Sequence, residues 1–76
     1  MSPRLPVLSS RKMLQALNRA GFFVDHASGS HYILKHPEKP KLRITVPNHP
    51  GDLKRKVVES IIDQAGMSIE EFLEYL

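Results

Sequence analysis

Seventy-six residues with eleven Lys and Arg, eight Asp and Glu, four His and no Cys leave room for one small domain over 1–76 and for one site. Without cysteine, disulfides and thiolate metal centres are excluded; with no apolar run suited to a signal peptide in 1–11 or to a membrane span elsewhere, a cytoplasmic chain with no membrane partner is expected. Charge is unevenly placed: residues 1–56 hold all eleven bases and only Asp25, Glu38 and Asp52 as acids, whereas 57–76 hold five acids and no base. A basic region of that density suits a polyanion, while the blander reading is that it keeps a small domain soluble.

Taken in chain order, Ser9 or Ser10 can cap a helix running through Ala20. Met13, Leu14 and Leu17 recur there at helical spacing, and Gly21 stops it. Phe22–His26 and His31–His36 are short aromatic and β-branched runs joined by Ala27-Ser28-Gly29-Ser30, a connection suited to a β-hairpin. Pro37–Pro40 breaks the second run. Leu42-Arg43-Ile44-Thr45-Val46 alternates strictly, as a strand with one buried face does, and Pro47–Gly51 is a turn.

Asp52 can cap a second long helix with Leu53, Val57, Ile61 and Ala65 as its apolar stripe, closed by Gly66. Ser68 and Glu71 form a capping box for a last helix ending at Leu76, with Met67 placed to staple against Phe72. The order is α-β-β-β-α-α. The expected fold class is α+β: a three-stranded antiparallel sheet with helices on one face and the other open.

Strand parity then distributes the side chains. Leu42, Ile44, Val46, Tyr32 and Leu34 face the helices, so the open face receives His31, Ile33, Lys35, Arg43 and Thr45. An imidazole beside two cations suits the holding of a phosphodiester and the movement of a proton. Gly29-Ser30-His31 delivers that imidazole at the rim of the sheet, the glycine permitting a positive φ in the turn. A lone exposed histidine is more often only a surface residue. The four histidines, His26, His31, His36 and His49, do not form a convincing zinc set, because His31 and His36 have opposite parity and acids are scarce nearby. Phe22, Phe23 and Tyr32 read as packing residues rather than base-stacking platforms.

The order of a helix, the Gly21-Phe22 turn, the Gly29-Ser30-His31 hairpin, the Val46-Pro47-Asn48-His49 strand end and Gln64-Ala65-Gly66-Met67-Ser68-Ile69-Glu70-Glu71-Phe72-Leu73 resembles the HicA (YcfA-like) mRNA interferase toxins from about Ser10 to Leu76. That resemblance implies a double-stranded-RNA-binding-domain-like fold, metal-independent cleavage of mRNA without a small-molecule cofactor, and a HicB-like antitoxin as protein partner. It also implies that the histidine of the Gly-Ser-His motif, His31, is catalytic. The chain departs from the family at Leu53-Lys54-Arg55-Lys56-Val57, where many members carry a Gly-Thr-Leu-type segment.

RNA carries its own nucleophile, the ribose 2′-hydroxyl, so the expected machinery is a proton acceptor or donor plus cations at the phosphate. His31 is expected to supply the first. Gly29 and Ser30 are expected to contact RNA beside it, and Lys35 and Arg43 to clamp phosphate. Lys54, Arg55 and Lys56 form a basic helix start where backbone N–H groups favour an anion; a merely solvated first turn is the alternative. At the level of function, the alternatives are a non-catalytic double-stranded-RNA-binding module and a protein-interaction domain of the same fold.

Overall fold

A computed structural model describes residues 5–76. The reading of the N-terminus against a signal peptide draws partly on residues 1–4, which lie outside the described residues. Six elements follow in the expected order: α1 (Ser10–Arg19), β1 (Phe23–Ser28), β2 (His31–His36), β3 (Lys39–Pro47), α2 (Arg55–Gln64) and α3 (Ile69–Leu73). The strands form one antiparallel sheet in the order β1-β2-β3.

Sequence periodicity explains what is buried. Met13, Ala16 and Leu17 of α1, Leu34, Ile44 and Val46 of the sheet, Val58, Ile61 and Ile62 of α2, and Phe72 of α3 meet in one cluster, which leaves the helices on one face. Phe22 joins it just ahead of β1, where Gly21 adopts φ +99° and a Cβ would stand 2.6 Å from His36 Nε2. The backbone turns there into a region that only glycine enters cheaply. His36 is consequently a packing residue: its ring meets Phe22 edge-on at 4.9 Å and its Nδ1 accepts from Glu38 N–H at 3.1 Å.

Several boundaries differ from expectation for physical reasons. Ala27 and Ser28 pair with Tyr32 and His31, so β1 extends to Ser28 and the connection shrinks to a two-residue turn, Gly29-Ser30. β3 begins at Lys39 and tolerates Pro40, which lacks an N–H, beside a register slip between Lys35 and His36. Asp52 does not cap α2. It bridges to Ser9 while Leu53 N–H donates to Leu8 C=O at 2.7 Å, so the helix opens two residues later at Lys54, which supplies no side-chain cap. A short antiparallel tether between the segment before α1 and the segment before α2 has taken the residue that would have been the cap.

The capping box is present as expected. Ser68 Oγ accepts from Glu71 N–H and the Glu71 carboxylate accepts from Ser68 N–H, and that backbone donor holds the Glu71 carboxyl below its ordinary value. α3 stops at Leu73 rather than Leu76, continuing only as single-turn bonds from Tyr75 and Leu76. No helix among the described residues is long and apolar enough to cross a membrane.

Candidate active site on the sheet face

His31 is the first residue after the β1–β2 turn. Gly29 has φ +59° and Ser30 a negative φ, the pattern of a two-residue turn with glycine first, whose twist matches that of the strands. Nothing lies within 4 Å of a Cβ built at Gly29, so the glycine serves the backbone angle rather than a close approach. The turn is held from outside as well. Asn48 N–H donates to Ser30 C=O at 2.6 Å, so the segment after β3 grips the residue just before His31.

That segment is in turn held by α1. Ser10 Oγ donates to Pro47 C=O at 2.6 Å and accepts from His49 N–H at 3.1 Å, and Ser10 is the buried polar residue on the apolar stripe of α1. The result is a continuous chain of support from α1 through Pro47, Asn48 and His49 to Ser30. A serine three and seven residues ahead of Met13 and Leu17 was the available signal, because a polar side chain at a core-facing position needs partners that only another element can supply. Ser10→Ala strands the His49 N–H and the Pro47 carbonyl; we expect a loss of about 1–3 kcal/mol in denaturant unfolding, with a heteronuclear NMR spectrum that shifts most at Ser30, His31 and Asn48. Unmoved resonances there would show the support chain to be idle.

The face away from the helices is arranged in three cross-strand rows. Phe23, Lys35 and Arg43 make the first, His26, Ile33 and Thr45 the second, and Ser28, His31 and Pro47 the third. Ile33 is only 5% exposed yet stands outside the core cluster, so flanking side chains shelter it and the middle row has an apolar floor. His31 itself is exposed, and its side chain makes no hydrogen bond or ion pair among the described residues. Lys35 and Arg43 are directly opposite each other and share its face as the alternation predicted. They are not beside it, however: four residues of strand put Lys35 roughly 13 Å from His31 along the sheet.

Lys35 has a partner instead. β1 bulges between Val24 and His26, and a bulge re-aims the extra residue. Asp25 Oδ2 lies 3.5 Å from Lys35 Nζ and 2.7 Å from His26 Nδ1. The His26 hydrogen bond foremost, with Lys35 adding attraction, lowers the Asp25 carboxyl below its ordinary value. Arg43 makes no ion pair among the described residues. Phe22 is buried as anticipated, but Phe23 is 42% exposed, because as the first residue of β1 it stands in register with Lys35 on the face away from the core.

Lys54, Arg55 and Lys56 are exposed at the start of α2, whose first turn carries no acid. Arg55 Nε reaches Glu59 at 3.2 Å, leaving Lys54 and Lys56 without an ion pair among the described residues. Lys54 lines a recess with Pro47, His49, Asp52, Leu53 and Val57, and Pro47 is the cross-strand partner of His31. The helix start therefore stands at the same end of the sheet as His31. Among the described residues no three His, Asp or Glu side chains converge as a metal ligand set.

Residues 10–67 match the family model described as HicA toxin of bacterial toxin-antitoxin, a span running from the first residue of α1 to the residue before the α3 cap and containing every side chain of the three rows. A search of curated proteins returned no match.

Proposed function

We infer, since the chain belongs to the HicA toxin family of bacterial toxin-antitoxin systems, that it is an endoribonuclease that cuts mRNA through proton transfer by His31 and is held in check by a HicB-like antitoxin. The observation that carries this reading is the mounting of His31: an exposed imidazole with no side-chain partner among the described residues, at the start of the central strand and braced through Ser30, Asn48 and Ser10. A side chain spent on the fold would have a partner; a side chain kept for a ligand needs rigid backing and free nitrogens.

The reaction needs no nucleophile from the protein. The 2′-hydroxyl attacks the adjacent phosphorus, an imidazole takes its proton, and cations balance the charge that gathers on the phosphoryl oxygens. Gly29 and Ser30 form the turn beside His31, where their exposed backbone is open to the RNA at the cut. Lys54 and Lys56, with Arg55 between them shared with Glu59, stand at that end of the sheet for the scissile phosphate and its neighbour, whereas Arg43, a strand-length away, holds a phosphate further along the same RNA, beside Lys35, whose charge is partly taken up by Asp25. The antitoxin acts by covering this basic face, with acidic side chains opposed to the same cations.

Incubating the purified protein with mRNA in excess EDTA tests the reading. Discrete fragments that disappear when a HicB-like partner is added are expected. RNA retained in a steeply salt-dependent manner but left uncut would instead mark a binding module, and no retention at all would mark a protein-interaction domain.

A further inference from the structure

Resting on that reading, we propose that His26 is the second proton-transfer residue of the site, working with His31 on opposite sides of the same phosphodiester. The two residues are on different strands but on one face. His26 is paired with Ile33 and His31 with Ser28, which makes them diagonal neighbours across the β1–β2 ladder, about 7–8 Å apart at the backbone. Two imidazoles so spaced span a phosphate, with room for the attacking oxygen at one ring and the leaving oxygen at the other.

Three features single His26 out from an ordinary surface histidine. Its ring is held by one nitrogen only: Nδ1 meets Asp25 Oδ2 at 2.7 Å, which leaves Nε2 for a ligand and fixes the plane in which it points. Asp25 reaches that position because β1 bulges there, and its other contact, Lys35 Nζ at 3.5 Å, lies on the same face, so the carboxylate is anchored from two sides. Ile33, sheltered although it is outside the core, floors the space between the two rings and keeps that side of a bound phosphodiester from water. By contrast His36 packs on Phe22, and His49 sits beyond the strand end.

In the cleavage step His31 accepts the 2′-hydroxyl proton as the 2′-oxygen forms its bond to phosphorus. His26, protonated at the start, gives its Nε2 proton to the 5′-oxygen as the P–O5′ bond breaks. The products are a 2′,3′-cyclic phosphate and a 5′-hydroxyl, and the two rings end with their proton counts exchanged, to be restored from solvent. Asp25 touches no reacting atom; it is a positioning residue that keeps the ring aimed throughout.

The test compares an RNA cut by the wild type with the same RNA carrying sulfur in place of the bridging 5′-oxygen at the mapped site, since a thiolate departs without a proton. His26→Ala is expected to slow the ordinary RNA by about 10²-fold or more and to cleave the sulfur-bridged RNA as fast as the wild type, while His31→Ala is slow on both. Asp25→Asn should show a smaller defect of the same pattern. His26→Ala with undiminished activity on ordinary RNA, or with equal losses on both substrates, overturns the assignment while leaving the role of His31 standing. A wild-type protein that leaves RNA uncut removes the ribonuclease reading and this one with it.

Discussion

Replacing His31 with alanine is expected to lower RNA cleavage by about 10²–10⁴-fold, the range that a positioned general acid or base contributes, with no change in the unfolding midpoint. Both halves of that result come from the same fact. The His31 side chain is exposed and makes no hydrogen bond or ion pair among the described residues, so the imidazole carries little of the stability, and surface changes of this kind usually move stability by less than about 0.5 kcal/mol. Rate measurements on a defined RNA, beside a thermal melt of the same preparation, decide the matter. Cleavage at the wild-type rate by a folded His31→Ala protein would remove His31 from the chemistry. Loss of the melting transition would instead make it a structural residue.

Phe72→Ala is expected to have the largest effect on the fold. Phe72 is fully buried and the bulkiest of the fully buried side chains, and truncating such a ring costs about 3–5 kcal/mol. At roughly 0.05–0.15 kcal/mol per residue a chain of 76 residues holds about 4–11 kcal/mol in total, so the truncation removes a large share of the stability and a marked drop in the unfolding midpoint is expected. The five residues of α3 are too few to persist as an isolated helix; the aromatic ring is what ties them to the core, and the capping box only sets where they start. Urea unfolding followed by circular dichroism checks this, with Leu76→Ala as the control because Leu76 is 45% exposed. Equal midpoints for the two variants would mean that α3 does not belong to the cooperative unit.

Legibility in the sequence followed the range of the interaction. The Ser68–Glu71 capping box, the Ser9 cap of α1, the stop at Gly21 and the positive φ at Gly29 all depend on residues within a few positions of one another, and each stands where the local chemistry puts it. The alternation through Arg43 and Thr45 likewise assigned the open face correctly. Where a distant segment competes, local reading fails. Asp52 has the side chain of a helix cap but pairs with Ser9, and nothing near it in the chain announces that choice.

The candidate site divides along the same line. That His31 and Lys35 share one face follows from a period of two along a strand, and that Arg43 joins them follows from the apolar alternation of β3, which turns Ile44 and Val46 to the core. How far apart they stand, that Lys35 is engaged by Asp25, and that His26 comes diagonally to His31 depend on the β1–β2 register and on a bulge at Asp25. Ser10 shows the boundary most clearly: its place on the apolar stripe of α1 marks it as needing partners, but Pro47 and His49 lie 37 and 39 residues away. Element order and the apolar faces of α1, α2 and β3 were readable from residue order alone, because those follow from periodicity and neighbouring residues. Register, bulge and the bracing of the hairpin were decided only in the tertiary structure, because hydrogen bonds between distant segments are chosen by which packing leaves no buried donor unpaired.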